Sequence, residues 1–328
     1  MDELNILPEG STRRFKGSAS VAVLVHNDEP EFLMEALESK DADKWELAVI
    51  DELNSLEMNG TFGEVVDLPE GRKAIDTKWV FKVKKDAYGQ VEKFKARLVA
   101  RGFTQQQGLD YDEIYAPVVR HATLRIFIVL SQYWKFRITQ LDIVTAYLNS
   151  KLDKEIYVKI PEGFNKYLKR GETSKRYVKL EKGLYGLKQA GRLWNEHCKK
   201  SLASLGFKQS IHDAGLYMKG SGEDLVLLVM YVDDILIATG KEYLGKEVEK
   251  GLENIYKLKL MGEVKSVLGT AIEYDLVSGR MVLHQESRLE EIGIDYHQDE
   301  SKMQAVPILE GSKIMEVDKS VSTNEEFR

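Results

Sequence analysis

Apolar and polar positions along the chain recur with two periods. From Leu225 to Gly240 the sequence reads LVLLVMYVDDILIATG, two runs rich in Val, Leu and Ile on either side of Asp233 and Asp234. Such runs predict two buried strands, hence a hairpin over about 217–239 with the acids at its tip. TKWVFKVK from Thr77 alternates with period two, Asp86-Ala-Tyr-Gly89 reads as a turn and Val91–Ala100 returns, so 77–100 is expected to be a basic β-hairpin. Phe136 to Ile143 predicts another strand, ending near Asp142. The helical period occurs elsewhere. Asp43 with Glu46 resembles a capping box ahead of a helix carrying Trp45, Val49, Leu53 and Leu56 on one face, closed by Asn59-Gly60. His121–Tyr133, Leu193–Leu205 and Lys241–Leu260 read as helices, Val144–Leu152 as the start of one, and 30–39 as a short amphipathic segment. Residues 102–116 read as a loop, 156–180 as short strands with a Gly/Lys-rich loop, and Val264–His284 as a hairpin around Ser278-Gly279. Helical fragments and a polar end follow residue 286, and residues 1–29 read as a tail.

The adjacent acids sit badly in this pattern. Tight two-residue hairpin loops favour Asn-Gly or Asp-Gly, so Asp-Asp is a poor turn. Two like charges on a dry scaffold repel and resist desolvation. A divalent cation removes both penalties, which sets a metal site against the plainer view that these are turn residues.

Composition narrows the classes without deciding among them. The chain has 328 residues, enough for a large core and two or more subdomains; 43% are hydrophobic and 30% charged. No apolar run approaches the roughly 20 residues needed to span a bilayer, so no membrane partner is expected. MDELNILPEG at the N-terminus lacks an apolar signal core. Cys198 is the single cysteine, which excludes an internal disulfide and a cysteine zinc cluster and fits a reducing compartment; the six histidines are scattered. The net charge of −6 argues against a polyanion partner only as a sum. Acids crowd 28–70, whereas 72–101 carries Arg72, Lys73, Lys78, Lys82, Lys84, Lys85, Lys93, Lys95, Arg97 and Arg101, and Lys175–Lys200 is again basic. Such local surfaces can hold a nucleic acid on an acidic chain, although each lysine taken singly reads as a solvated surface residue.

If the strand ending at Asp142 lies beside the acidic hairpin, three carboxylates converge. They could hold two Mg²⁺ ions, with phosphates and water as the remaining ligands, a site suited to in-line phosphoryl or nucleotidyl transfer. A metal-dependent nuclease or phosphatase with paired aspartates is the chemical alternative.

The order of motifs weighs against that alternative. QLDIVTAYLNSKLDKEIYVKIPEGF, LEKGLYGLKQAGRLW and YVDDILIATG, preceded by WELAVIDELNSLEMNGTF and KWVFKVKKDAYGQVEKFKARLVARGFTQQQGLDYDEIYAPVV and followed by LGTAIEY and MVLHQ, resemble the reverse transcriptase of copia-type LTR retrotransposons over about residues 30–310. The resemblance implies an α+β fold, the polymerase right hand: a palm of antiparallel sheet with packed helices, plus fingers and thumb. The implied division is a tail over 1–29, an N-terminal helical extension over 30–70, fingers over 71–135, a palm over 136–286 with finger insertions at about 151–190, and a truncated thumb over 287–328. It implies an RNA-directed DNA polymerase that extends a primer on an RNA or DNA template with deoxynucleoside triphosphates, using two Mg²⁺ ions or Mn²⁺, in the cytoplasm or the nucleus. The alternative is an inactive retrotransposon remnant that keeps the palm and at most binds nucleic acid.

Residue by residue, Asp142 and Asp233 resemble the family's metal-ligating aspartates, Asp234 the third carboxylate, and the Ile143 carbonyl a further metal ligand. Tyr147 falls where the family places an aromatic gate against the ribose 2′-hydroxyl; by itself it would read as a core aromatic. Lys95 and Arg97 are candidates for gripping the incoming triphosphate. Gln189 lies in the segment expected over nucleotide and template, and Lys259 is a candidate for protonating pyrophosphate. The chain departs from the family at Gly191, usually Pro, at Tyr147, usually Phe, and in EIYAPV, commonly ETFSPV; no departure removes a carboxylate. Nothing in the chain resembles the protease, integrase or RNase H of the family's polyprotein, and it stops at NEEFR, where an incomplete thumb is expected.

Overall fold

The structure, a computed structural model, describes residues 29–85, 91–167 and 176–296. Nearly all of the expected tail, the turn at 86–89, much of the Gly/Lys-rich loop and the polar end lie outside the described residues. Among the described residues one compact unit runs to Val264 and includes Asp275–Arg280, and a second comprises Lys265–Tyr274 and continues from Met281.

The first unit begins with α1 (Leu33–Glu38) and α2 (Ala42–Met58). Trp45, Val49, Leu53 and Leu56 of α2 are buried as one stripe, as their spacing predicts. The capping box is not formed. The helix starts at Ala42 behind Asp41, whose side chain caps nothing, so Asp43 lies inside the first turn. At the other end Gly60 takes φ +63° and the Thr61 N–H reaches the Leu56 carbonyl at 2.9 Å, closing the helix as expected. Next come β1 (Phe62–Val66) and the hairpin of β2 (Thr77–Lys85) and β3 (Val91–Ala100), in register from Thr77 opposite Ala100. Ala96, Leu98 and Ala100 are buried on the α2 side of the hairpin, which leaves Lys95 and Arg97 on the other face.

α3 (His121–Tyr133) has the predicted bounds and leads into β4 (Arg137–Ile143). The helix expected from Val144 does not form. Thr145 adopts φ +57°, a 3-10 turn covers Ala146–Asn149, and the chain leaves at once as β5 (Lys151–Lys159). After α4 (Phe164–Tyr167), β6 (Tyr177–Lys182) completes a three-stranded sheet in the order β1-β6-β5.

α5 (Ala190–Ser204), β7 (Lys208–Gln209), β8 (Leu216–Lys219), β9 (Val226–Tyr231), β10 (Asp234–Thr239), α6 (Glu242–Glu253) and β11 (Leu258–Glu263) follow. The helix predicted over 241–260 therefore stops at Glu253. Its last three residues, Leu258–Leu260, instead open β11 and pair with β4, because cross-strand pairing satisfies their backbone better than one more exposed helical turn. β4 and β7–β11 form a six-stranded antiparallel sheet in the order β11-β4-β10-β9-β8-β7. One face carries Leu141, Ile143, Leu228, Met230, Ile235 and Ile237 and packs against Trp194, Cys198 and Leu202 of α5 and Val248 and Leu252 of α6. Each such fully buried side chain contributes roughly 1.5–3 kcal/mol. The α+β class, antiparallel sheets with helices packed on them, is thus present.

The second unit carries β12 (Ser266–Val267), all but the last residue of β13 (Thr270–Asp275), all but the first of β14 (Arg280–His284), and α7 (Glu286–Asp295); the strand order is β12-β13-β14, and the expected Ser278-Gly279 turn lies between β13 and β14. No helix among the described residues is long and apolar enough to cross a membrane.

α3 lacks a cap from its own N-cap residue, Arg120. Asp213, buried in the loop between β7 and β8, supplies one from a distance. It accepts hydrogen bonds from the Arg120 N–H at 3.0 Å, the Thr123 hydroxyl at 2.5 Å and the Gly215 N–H at 2.8 Å. Burial alone would raise its pKa, but these three donors hold it below the ordinary value of 3.8. Asp213→Ala is expected to cost about 2–3 kcal/mol in chemical denaturation at neutral pH. The carboxylate contributes fully above its unfolded value of 3.8 and loses that contribution as pH falls through the lower folded value, so the gap to wild type should narrow only in acid. A variant as stable as wild type at neutral pH would show that Asp213 does not anchor α3.

Candidate functional site

The alternation that sends Leu141 and Ile143 into the helices turns Asp142 to the opposite face. Asp142 is the direct cross-strand partner of Asp234, and also of Lys259 on the other side, while Asp234 is opposite Tyr231. Side chains directly opposite in an antiparallel pair share a face. Lys259, Asp142, Asp234 and Tyr231 therefore form one row across β11, β4, β10 and β9.

The hairpin tip differs in detail from the expected Asp-Asp turn. Tyr231 pairs with Asp234, so the two loop residues are Val232 and Asp233, and Asp234 opens β10. Val232 takes φ +58°, a conformation that normally falls to Gly and strains a β-branched residue by about 1–3 kcal/mol. Two hydrogen bonds hold the turn there: Trp194 Nε1 donates to the Val232 carbonyl at 2.7 Å, and the Ile143 N–H to the Asp233 carbonyl at 2.9 Å. Thr145, just beyond β4, is also left-handed. Both strained β-branched residues thus lie within three positions of a site carboxylate.

Burial, then Asp233, then Asp234 raise the pKa of Asp142, against the pull of Lys95 and Lys259. Burial also raises Asp234, reinforced by Asp233 and opposed by the Gln140 amide, which donates to Asp234 Oδ1 at 3.3 Å. Burial first, with like charge added to it, thus disfavours the ionised form of both carboxylates. Among the described residues no three His, Cys, Asp or Glu side chains are arranged to enclose a metal ion. Mg²⁺ does not need such a cage, since it is bound through one or two carboxylates with substrate phosphates and water completing its shell. The carboxylate pair Asp142 and Asp234, with Asp233 beside it, fits that donor set, and Ile143 ends β4 next to it.

Lys95 and Arg97 approach from β3. Burial, then Arg97 and Lys84, lower the pKa of Lys95, while Glu52 and Asp142 raise it. β3 is fixed along its free edge. The Leu98 N–H donates to the buried Glu52 carboxylate at 3.1 Å and the Ala100 N–H to the Tyr185 carbonyl at 2.7 Å. Burial raises the pKa of Glu52, opposed by that N–H and by Lys95 and Arg97. Tyr147 is half-buried and packs against both hydrophobic clusters of the unit; burial first, then Asp233, push its hydroxyl up.

The Gln189 side chain is fully buried, donating to the Asp110 carbonyl at 2.8 Å and accepting from Gln105 Nε2 at 2.9 Å, so its amide is taken up within the fold, bracing the loop before α5. Lys259, expected on a helix, stands on β11 beside Asp142. Residues that sequence reasoning did not single out include Trp194, Glu52, Gln140 and Tyr185. Glu52 was detectable as an acid on the apolar stripe side of α2; the others depend on partners distant in sequence.

A sequence profile described as Reverse transcriptase (RNA-dependent DNA polymerase) matches residues 59–310. The Retrovirus-related Pol polyprotein from transposon TNT 1-94 of Nicotiana tabacum is 34% identical over 305 residues, which is 92% of this chain and 22% of that protein. The corresponding polyproteins from transposons RE2 and RE1 of Arabidopsis thaliana are 32% and 33% identical over 75% and 76% of this chain, and 16% and 17% of theirs. The chain therefore spans at most about a fifth of the length of these relatives. A solved foamy viral protease-reverse transcriptase in complex with double-stranded DNA aligns over 73% of this chain and 35% of that one, at 14% identity and a TM-score of 0.36.

The raised carboxylates make a prediction about stability without divalent cations. A folded pKa above the unfolded 3.8 means that protonation favours the fold; this contribution is complete below 3.8 and lost as pH rises through the raised value. Asp234→Asn should therefore melt a few degrees above wild type at neutral pH in a chelating buffer, with the gain vanishing in acid. An equal or lower neutral-pH melting temperature would mean that burial and like charge do not disfavour the ionised Asp234.

Proposed function

This chain belongs to the reverse transcriptase (RNA-dependent DNA polymerase) family, and from that premise we propose that it carries the nucleotidyl-transfer centre of an RNA-directed DNA polymerase. The single observation that carries the reading is the register setting Asp142 opposite Asp234, with Asp233 in the adjoining turn. On this reading the six-stranded sheet with α5 and α6 is the palm, and the β2–β3 hairpin belongs to the fingers.

Asp142, Asp233 and Asp234, with the Ile143 carbonyl, would hold divalent cations. Mg²⁺ or Mn²⁺ bound there would lower the pKa of a primer 3′-hydroxyl and neutralise the leaving pyrophosphate. The rest of the work falls to side chains of the chain. Lys95 and Arg97 bind the triphosphate of the incoming deoxynucleotide, Arg97 as a planar fork and Lys95 as a point charge. The lowered proton affinity of Lys95 reflects burial and like charges, which an arriving polyphosphate relieves. Tyr147 closes the space beside the sugar C2′ and excludes a ribonucleotide. Lys259, beside Asp142, is the group positioned to give a proton to pyrophosphate. The basic surfaces of 72–101 and 175–200 bind the phosphates of template and primer.

Purified chain with Mg²⁺, a primed RNA template and deoxynucleotides should extend the primer, and Asp233→Asn should abolish extension while keeping the melting transition. Removing Asp233 would loosen the cation that offsets negative charge developing on the transferring phosphate, and loss of one such stabiliser costs on the order of 10²–10³-fold. Undiminished extension by Asp233→Asn would reject the assignment. Duplex binding without extension by wild type would identify the chain as an inactive remnant.

A further inference from the structure

Arg97 has an unusual resting place for a triphosphate-binding cation. Among the described residues no carboxylate forms an ion pair with it. Its guanidinium lies over the ring of Tyr185, 5.1 Å from the centroid. The same ring meets Tyr147 edge-to-face at 4.9 Å and 69°. Tyr185 thus touches, with one side chain, the residue assigned to the phosphates and the residue assigned to the sugar.

The ring is held from several sides. Its flanking residues Leu184 and Leu187 are buried. Its carbonyl accepts the Ala100 N–H at 2.7 Å, three residues beyond Arg97 on the same strand. On either side the backbone approaches too closely for a side chain. A Cβ on Gly186, at φ +87°, would lie 2.1 Å from the Ala100 carbonyl oxygen, and one on Gly183 would lie 2.7 Å from that of Tyr147. The segment 183–186 is therefore clamped between the end of β3 and the 3-10 turn that carries Tyr147. A cation stacked on a fixed ring keeps its N–H edge free for phosphate oxygens while its plane is defined. An edge-to-face partner likewise fixes the tilt of Tyr147.

Resting on the reading of this site as a nucleotidyl-transfer centre, we infer that Tyr185 is a positioning residue for the incoming deoxynucleoside triphosphate, setting the spacing between the Arg97 grip and the Tyr147 gate. It contacts no reacting atom in this role; it acts through the two residues it orients. Sugar selection and triphosphate affinity then depend jointly on one aromatic ring, although neither function is performed by it.

The test uses the full chain with a dideoxy-terminated primer on an RNA template in Ca²⁺, so that no chemistry is needed. The dissociation constants of dCTP and CTP are read from retention of the ternary complex, beside a thermal melt. Tyr185→Phe keeps both ring contacts and should retain the wild-type preference for dCTP. Tyr185→Leu removes both and should weaken dCTP binding and reduce the dCTP-to-CTP preference about tenfold each, given the usual strength of a cation–π and an aromatic pair. Tyr185→Met keeps bulk without a ring face, and carries the test with the same expected result if the Leu variant does not fold. Tyr147→Ala serves as the reference for the site. If it loses the preference while folded Tyr185→Leu and Tyr185→Met keep wild-type values, the inference about Tyr185 is overturned and the site assignment stands. If wild type shows no preference, or Tyr147→Ala leaves it unchanged, the reading of the site itself is overturned and the inference with it.

Discussion

The pairing of β4 with β10 is the constraint on which the rest of the structure depends. Because strand side chains alternate, one register both buries Leu141, Ile143, Ile235 and Ile237 against α5 and α6 and sets Asp142 opposite Asp234 on the other face. A slip of one residue would drive the carboxylates into the helices and expose the core. The hydrophobic energy of one face thus maintains a like-charge contact on the other, which the carboxylates alone would oppose. This answers the oddity of two acids in an apolar run: Asp234 is the first outward position of β10, and Asp233 lies in the turn.

Maintaining that contact also needs backbone strain, and the strain is local. Val232 and Thr145 are β-branched residues in the left-handed region, one before the acidic pair and one after Asp142. The Trp194 indole and the Ile143 N–H fasten the first of these turns. Strained residues persist where surrounding packing over-determines them, and here that packing is the α5 face of the sheet. Facing this rigid base is a β-hairpin whose cationic strand is secured along its edge by Glu52 and the Tyr185 carbonyl. The two halves of the site, acidic and basic, are therefore each fixed by contacts outside the site.

Much of this was legible in the sequence because it is written in short periods. The stripe of α2, the limits of α3, the basic hairpin and the apolar strands around Asp233 all follow from local spacing. What escaped depends on partners far along the chain. Val144–Leu152 contains good helix formers, but Thr145 turns left-handed where Leu148, Ser150 and the strand that follows are claimed by β6 and the loop after it. Leu258–Leu260 could end a helix or open a strand, and only β4 decides. Gln189 looked available until Gln105 and Asp110, about eighty positions away, took up its amide. Tyr185 drew no expectation because both of its ring partners lie on other elements. The family's motifs were recognisable for the complementary reason: residues around a shared centre are spaced by the elements that carry them.

The central claim is that Asp142, Asp233 and Asp234 bind divalent cation as one site. The most direct measurement is localised backbone cleavage by Fe²⁺ substituted for Mg²⁺, with ascorbate and peroxide, mapped by mass spectrometry. Cuts clustered near residues 142 and 233, competed by Mg²⁺ and absent in Asp142→Asn, are the result this account predicts. Cleavage elsewhere, or at these positions but unchanged in Asp142→Asn, would contradict it.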